Sequence, residues 1–248
     1  MKKAFHAVAL LLMSFTFLPT TKKIKIFIAG DSTASIKEIK VYPETGWGMP
    51  FANFWDSTVT VVNLAKNGRS TKSFIAEGLW KQIIDNAAEG DYVLIQFGHN
   101  DEVPTKKTYT IEEEFKANLI KYITETKAKK ATPILITPVS RRQFDSTGTA
   151  VETHPYTRLV REVAAAQNVL MIDLDKKSIE LYQQMGKDNS VLLFNHLKPG
   201  QNPNYPEGKE DNTHFSELGA RKIAEIVLAD IRAQHIELAN HIVKAFKK

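Results

Sequence analysis

The chain has 248 residues, of which 43% are hydrophobic and 25% charged, and its formal net charge is +5. This size and composition predict one globular domain whose core is large enough to need no cross-links. The sequence contains no cysteine, which excludes disulfides, a cysteine nucleophile and thiolate metal sites. The positive charge is mild and not gathered into long basic runs, so a dedicated nucleic-acid-binding protein is not expected.

The first residues have the pattern of an export signal. Lys2 and Lys3 precede an almost unbroken apolar stretch over residues 7–18, and this combination is typical of a secretory signal peptide. A transmembrane helix needs about 20 apolar residues, so an anchor is the less favoured alternative. We predict a signal peptide over residues 1–21, a domain over residues 22–248, and export to the bacterial periplasm or beyond without stable membrane insertion.

After this leader, strand-like and helix-like segments alternate. Short runs rich in Val and Ile are typical of strands buried on both faces of a parallel sheet; they occupy residues 24–29, 58–64, 92–97, 133–137 and 169–174. Apolar residues at helical spacing lie between these runs and after the last one, where Ser216 is a predicted helix cap. The alternation predicts an α/β fold with a five-stranded parallel sheet covered by helices on both sides.

Polar clusters follow the strands of the predicted sheet. Gly30–Thr33 comes after the first strand, Asn67–Ser70 after the second and Gly98–Asp101 after the third, while Asp211–His214 precedes the last helix. Ligands of open parallel sheets bind beyond the carboxyl ends of the strands. We therefore expect these four clusters to meet at one edge of the sheet.

The clusters contain the parts of a serine hydrolase. Ser32 would be the nucleophile, and a serine hydroxyl needs a base to remove its proton. His214 can be that base, and Asp211, three residues earlier on the same predicted loop, can orient its ring. The oxyanion formed by attack on a carbonyl needs positioned donors, for which we predict the backbone N–H groups of Ser32 and Gly68 and the side-chain amide of Asn100. Each residue alone suits an ordinary turn or helix cap, but their order along the chain favours catalysis.

The same blocks resemble the SGNH/GDSL hydrolase superfamily, with Ser32, Gly68, Asn100 and His214 at its four named positions. The first block departs from the generic pattern because it lacks the leucine. Within the superfamily, the segments GDSTAS, TGWGMPF, NGRSTKSF, FGHND, TPVSRRQF and YPEGKEDNTHFSELGA look like rhamnogalacturonan acetylesterases. The resemblance implies a flavodoxin-like three-layer α/β/α sandwich, hydrolysis of acetyl esters on galacturonic acid units of pectic rhamnogalacturonan, and no metal or other cofactor.

Three further residues suit a sugar substrate. Trp47 lies between two glycines and either offers an exposed face to a sugar ring or is a core aromatic. Arg141 and Arg142 follow the fourth strand and either bind a galacturonate carboxylate or are a solvated pair. Arg69 and His154 lie near strand ends without an assigned role. Trp55 and Trp80 are predicted to be core residues.

Other functions are weighed on the same residues. An SGNH esterase or lipase acting on xylan, peptidoglycan or a small ester is the first alternative. A flavodoxin-like module would bind phosphate or flavin through Ser32, Thr33 and Ser35, but it leaves Asn100 and the Asp-x-x-His pair unused. A carbohydrate-binding protein without catalysis ranks lower. A metal site is the least favoured option; its ligands would be His99, Asp101, Asp211 and His214.

Overall fold

Five parallel strands form the central sheet of the protein. The computed structural model describes residues 23–243, and the predicted signal peptide lies outside these residues. In chain order the strands are β1 (Ile24–Gly30), β2 (Val59–Asn63), β3 (Tyr92–Gln96), β4 (Thr132–Ile136) and β5 (Leu170–Ile172). They are arranged in the order β2–β1–β3–β4–β5, which is the flavodoxin-like order.

Helices connect the strands and end the domain. They are α1 (Gly48–Phe51), α2 (Thr71–Ala76), α3 (Leu79–Asn86), α4 (Glu112–Ala128), α5 (Thr157–Gln167), α6 (Leu174–Asn189) and α7 (Glu217–Ala233). Short 3₁₀ turns occupy Ile39–Val41, Ala52–Phe54, Ser190–Leu193 and Glu237–His241. The predicted cap of α7 is confirmed, because the Ser216 side chain accepts a hydrogen bond from the Gly219 N–H. Among residues 23–243, no helix combines the length and apolarity needed to cross a bilayer.

Alternate residues of the central strands feed two separate cores. In β1, Ile26 and Ile28 face one core, while Phe27 and Ala29 face the other. The first core is closed by α1, α6 and α7, and the second by α2 to α5. Each core buries the apolar stripe of its helices against one face of the sheet. The predicted three-layer α/β/α sandwich is therefore confirmed.

A small antiparallel hairpin, absent from the expectation, carries the Asp-x-x-His segment. Its strands are β6 (Phe194–Leu197) and β7 (Lys209–Phe215). Sequence reasoning placed Asp211 and His214 on a loop, and that expectation was wrong. Between the paired positions Phe194–Phe215 and His196–Glu210, β6 advances by two residues and β7 by five. The extra residues of β7 form a large bulge.

Candidate active site

The structure brings Ser32, His214 and Asp211 into one hydrogen-bonded line. Ser32 follows the end of β1 directly, and its Oγ lies 3.0 Å from His214 Nε2. His214 Nδ1 lies 2.8 Å from Asp211 Oδ2. An ionised carboxylate only accepts hydrogen bonds, so Nδ1 must donate to it. Nε2 is then free to accept from the serine hydroxyl, which is the arrangement needed for proton transfer.

The bulge in β7 allows Asp211 and His214 to meet. On a regular strand, residues three apart point to opposite faces. Here Asp211 Oδ1 accepts from the backbone N–H groups of Thr213 at 2.8 Å and His214 at 2.9 Å. Burial alone would raise the pKa of Asp211, but the hydrogen bonds from His214 and Thr213 hold this pKa below its usual range. The carboxylate therefore stays ionised beside the imidazole.

A second carboxylate fixes the turn that presents Ser32. Asp31 Oδ1 accepts from the N–H of Thr33 at 2.9 Å and from its hydroxyl at 2.8 Å. Burial opposes ionisation of Asp31, yet the nearby His99 and the Thr33 hydrogen bonds lower its pKa to about 2. The hydroxyl of Ser35 also points inward, to the Ser32 carbonyl and Asn67 Oδ1. Thr33 and Ser35 thus do not form the phosphate cradle of the alternative hypothesis.

The predicted oxyanion donors line the same cavity as Ser32, which has a volume of about 430 Å³. Gly68 has φ +77°, a conformation that favours glycine, and nothing lies within 4 Å of where its Cβ would be. Asn100 is buried, and its Nδ2 donates to the Arg69 carbonyl at 2.9 Å. The amide nitrogen carries a second hydrogen that remains available to a bound oxyanion.

Five residues to which sequence reasoning gave no part in catalysis or substrate binding also line this cavity. Asn67 precedes Gly68 within a block already recognised, so the motif itself was a signal for it. His99 was weighed only as a metal ligand. Glu44 and Lys106 lie outside the recognised motifs, and nothing in their local sequence indicates a place in the site. The full set of these five is Glu44, Asn67, His99, Lys106 and Thr213.

The two predicted arginines have different positions. Arg141 lines the cavity, and its guanidinium donates to the Thr213 hydroxyl. Arg142 is not among the residues that line the cavity, and its predicted role in substrate binding stays a prediction. Its guanidinium donates to Ser190 Oγ at 3.0 Å, to Asn212 Oδ1 at 3.1 Å and to the carbonyl at the end of α6. These bonds hold β7 against α6 and use three of the five N–H donors of the guanidinium.

Trp47 is a core residue, and the alternative of an exposed sugar platform was wrong. Its side chain is fully buried, its ring packs edge-on to Phe51, and its Nε1 donates to Gln96 Oε1 at 2.5 Å. The flanking glycines have another purpose. A Cβ at Gly46 would lie 2.0 Å from a backbone oxygen, and one at Gly48 would lie 2.4 Å from a side-chain amide. Both glycines let the backbone pack closely, which draws the tryptophan inward.

Two buried histidines lie beside the serine turn. His99 Nδ1 is 3.1 Å from Asp31 Oδ2, and its ring centroid is 4.1 Å from that of His154. His154 Nδ1 lies 2.5 Å from Glu102 Oε1. Burial and the neighbouring His154 lower the pKa of His99 to about 4, so His99 is neutral near pH 7. Within residues 23–243, no group of three or more His, Asp or Glu side chains is arranged to hold a metal ion.

Known sequences match this chain over most of its length. A family model described as the GDSL-like lipase/acylhydrolase family matches residues 28–222. Rhamnogalacturonan acetylesterase RhgT of Bacillus subtilis (strain 168) is 40% identical over 224 residues, covering 90% of this chain and 95% of RhgT. The probable rhamnogalacturonan acetylesterase YesY of the same organism is 31% identical, covering 88% of this chain and 97% of YesY.

Solved structures share the architecture. Protein YxiM of Bacillus subtilis has a TM-score of 0.75 at 27% identity, and the match covers 87% of this chain and 58% of the YxiM chain. A variant of Axe2, an acetyl xylan esterase from Geobacillus stearothermophilus, has a TM-score of 0.61 at 20% identity, covering 90% of this chain and 98% of that one. The likeness to Axe2 is one of fold.

Proposed function

Because the chain belongs to the GDSL-like lipase/acylhydrolase family, we propose that it is a serine esterase that removes acetyl groups from rhamnogalacturonan. The observation that carries this proposal is the hydrogen-bonded line from Ser32 Oγ through the His214 ring to the Asp211 carboxylate. This line ends in a cavity that also contains Gly68 and Asn100. A nucleophile, a base, an orienting acid and oxyanion donors together suffice for acyl transfer.

The proposed reaction begins with attack on the acetyl carbonyl. Ser32 Oγ forms a bond to the carbonyl carbon while His214 Nε2 takes the hydroxyl proton. The oxyanion accepts hydrogen bonds from the N–H groups of Ser32 and Gly68 and from Asn100 Nδ2. The tetrahedral intermediate then expels the sugar oxygen, which receives the proton from His214. Asp211 stabilises the imidazolium formed in between.

Water completes the cycle. His214 removes a proton from a water molecule as this water attacks the acetyl-serine carbonyl. Collapse of the second tetrahedral intermediate breaks the bond to Ser32 Oγ, which regains its proton from the imidazolium. Acetate leaves, and the free enzyme is restored with its initial protonation. No step requires an oxidant, a reductant or a metal ion.

The polysaccharide part of the proposal is supported by the relatives and by charge. RhgT and YesY are named for rhamnogalacturonan, and their matches extend over nearly their whole lengths. Arg141 and Lys106 line the cavity beside Ser32, so a uronate carboxylate next to the ester would meet two cations. A guanidinium suits a carboxylate particularly well because it can donate two parallel hydrogen bonds.

An acetate-release assay tests the proposal. Purified protein should release acetate from acetylated rhamnogalacturonan faster than from acetylated homogalacturonan or acetyl xylan. Ser32→Ala should abolish release on all three, whereas Ser146→Ala, an exposed serine outside the cavity, should leave it unchanged. Full activity in Ser32→Ala would refute the esterase mechanism. Fastest release from xylan would refute the substrate and leave the mechanism intact.

The proposal includes export of the enzyme. Its basis is the basic and apolar pattern of residues 1–21. Expression of the full chain in a bacterial host should yield an exported protein that begins near residue 22, as read by N-terminal sequencing. Retention of the uncleaved chain inside the cell would contradict this part of the proposal.

A further inference from the structure

Lys106 contacts Asn100, the residue that supplies the side-chain donor of the proposed oxyanion hole. Its ammonium donates to Asn100 Oδ1 over 2.7 Å, while Asn100 Nδ2 donates to the Arg69 carbonyl over 2.9 Å. Both Lys106 and Asn100 line the cavity beside Ser32. The side-chain amide that would stabilise the oxyanion is therefore held at both ends.

The two partners of Asn100 select the same orientation of its amide. An ammonium can only donate a hydrogen bond, and a backbone carbonyl can only accept one. If the amide were rotated by 180°, its N–H groups would face the Lys106 ammonium and its carbonyl would face that of Arg69. Both contacts would then be repulsive. The observed orientation is the one that points N–H donors away from Lys106.

The ammonium also acts on the strength of the donor. A cation bonded to an amide oxygen draws electron density toward that oxygen, and hydrogen bonds in a chain polarise one another. The N–H groups on the other side of the amide become better donors as a result. The positive charge further favours a negative charge developing in the same cavity. An oxyanion is present in the transition state and absent from the bound ester.

Backbone hydrogen bonds hold the loop that carries Lys106 beside the Asn100 segment. The Lys106 N–H donates to the Val103 carbonyl at 3.0 Å, and the Lys106 carbonyl accepts from Tyr109 at 3.0 Å. The following residue, Thr110, donates to the Asp101 carbonyl at 2.9 Å. These turns tie the loop after β3 back to the Asn100 segment. The ammonium is thus supplied by a loop that is anchored to Asp101, the neighbour of the residue that it orients.

We propose that Lys106 is a positioning residue of the oxyanion hole, which orients and polarises the Asn100 amide. The proposal rests on the proposed esterase function, because it assigns Asn100 to the oxyanion. It predicts an effect on turnover of any acetyl ester, whether or not the alcohol part carries a charge. A lysine that only attracted uronate would affect acidic substrates alone.

A neutral substrate separates these two roles. Lys106→Met keeps most of the side-chain length and removes the charge. With 4-nitrophenyl acetate, kcat should fall about tenfold while KM changes little. The reason is that Lys106 strengthens the hydrogen bond from Asn100 to the oxyanion, and this bond is made in the transition state and not in the bound ester. Lys107→Met removes a neighbouring exposed ammonium outside the cavity lining and should keep the wild-type kcat. An unchanged kcat in Lys106→Met, with a raised KM for acetylated galacturonides only, would overturn the proposal.

A double-mutant cycle shows whether Lys106 acts through Asn100. Asn100→Ala should lower kcat by about a hundredfold or more. In that background, adding Lys106→Met should change kcat by less than about twofold, because its target is gone. A further tenfold loss in the double variant would overturn the positioning role. Thermal unfolding of all variants confirms that the folded enzyme is compared.

The two proposals fail in different ways. If the wild-type protein shows no Ser32-dependent acetate release, the esterase function itself is refuted. If wild type and Ser32→Ala behave as expected and Lys106→Met keeps full kcat on the neutral ester, only the role of Lys106 is refuted.

Discussion

Asp211 holds two groups with one carboxylate. Oδ1 accepts from two backbone N–H groups, and Oδ2 faces His214 Nδ1. The same side chain therefore shapes the β7 bulge and fixes the tautomer of His214, the proposed catalytic base. Its ionised state is favoured by these hydrogen bonds, which outweigh the effect of burial on its pKa.

Asp211→Asn should separate the structural task from the catalytic one. The asparagine Oδ1 can keep the backbone hydrogen bonds, whereas its Nδ2 would donate to His214 Nδ1. The proton would then reside on Nε2, which could not accept from Ser32. We expect kcat to fall by about 10³–10⁴-fold with little loss of thermal stability. Steady-state kinetics and thermal melting measure the two effects, and a kcat within tenfold of wild type would contradict this role.

Arg141 is the residue that we expect to read substrate charge. Arg141→Gln should raise KM for acetylated galacturonide oligosaccharides about tenfold, because a charge-assisted contact with the uronate is lost. The same variant should keep its KM for 4-nitrophenyl acetate, which has no carboxylate. Arg158→Gln, an exposed arginine outside the cavity lining, serves as the control. Equal losses on both substrates would indicate that Arg141 acts through Thr213 and β7 instead.

Asp101 should make stability fall as pH rises. Burial raises its pKa to about 7 despite hydrogen bonds from the Thr71 N–H and hydroxyl. Between about pH 4 and pH 7 the folded state therefore holds a proton that the unfolded state has lost, so the free energy of unfolding decreases across this window.

Asp101→Asn removes that dependence. Relative to wild type, the variant should gain stability with increasing pH, by an amount on the order of 4 kcal/mol between pH 4 and pH 8. Urea unfolding at the two pH values measures it. Asp85→Asn, at an exposed site, should show no such trend. A stability difference for Asp101→Asn that is constant with pH would disprove the expectation.

At the scale of single residues, the sequence indicated the chemistry of the side chains better than their burial and their neighbours. Ser32, Asp211 and His214 were identified because a nucleophile, an acid and a base occur in a recognisable order, and the structure brings their side chains together. Trp47 was left between two alternatives because flanking glycines indicate either exposure or close packing, and only the backbone neighbours decide. Lys106 was missed because its target lies across a loop whose turns have no distinctive sequence.

At the scale of elements, the hairpin was the main departure. β7 contains six charged or polar residues before Phe215 and lacks the alternation that would indicate a strand. Its bulge explains the irregular pattern, because residues in a bulge do not alternate between two faces. The central strands were predictable for the opposite reason. Their apolar runs are continuous because both faces are buried.

The start of α7 sets the position of β7. Gly219 lies in the first turn of α7, and a Cβ there would come within 1.8 Å of the Leu193 carbonyl oxygen. Ser216 Oγ donates to the Leu192 carbonyl at 2.7 Å. The helix thus begins in direct contact with the 3₁₀ turn before β6, only a few residues after His214.

Gly219→Ala should therefore damage both stability and catalysis. Forcing the helix away from Leu193 should lower the free energy of unfolding by about 1–3 kcal/mol. It should also lower kcat of the folded protein, since His214 moves with the strand. Lys222→Ala, on the exposed side of the same helix, is the control for helix content. A stable, fully active Gly219→Ala would contradict the contact.

At the scale of the whole molecule, the sheet separates two cores, and we expect only one of them to support the candidate site. The core under α1, α6 and α7 contains Phe215, which follows His214 in the chain, whereas the core under α2 to α5 contains Phe115. Both phenylalanines are almost completely buried. They form a matched pair for testing which side of the sheet supports the site.

Truncation of either ring should lower the free energy of unfolding by a similar amount, but the two variants should differ in kcat. Phe115→Ala and Phe215→Ala should each lower the free energy of unfolding by about 3–5 kcal/mol. At a temperature where both remain folded, Phe115→Ala should keep kcat within about twofold of wild type, while Phe215→Ala should lose it substantially. Denaturant unfolding and kinetics measure both quantities. Equal kcat values would show that the two cores support the site equally.

The bulge in β7 holds Asp211 and His214 together as one unit. Ser32, the proposed nucleophile, lies in another part of the chain, after β1. Any displacement of the hairpin would carry the Asp211–His214 pair as one piece. The His214 imidazole would keep its tautomer and lose only its hydrogen bond with the Ser32 hydroxyl. Such a displacement would leave the downfield imidazole proton in NMR spectra unchanged. It would lower the nucleophilicity of Ser32.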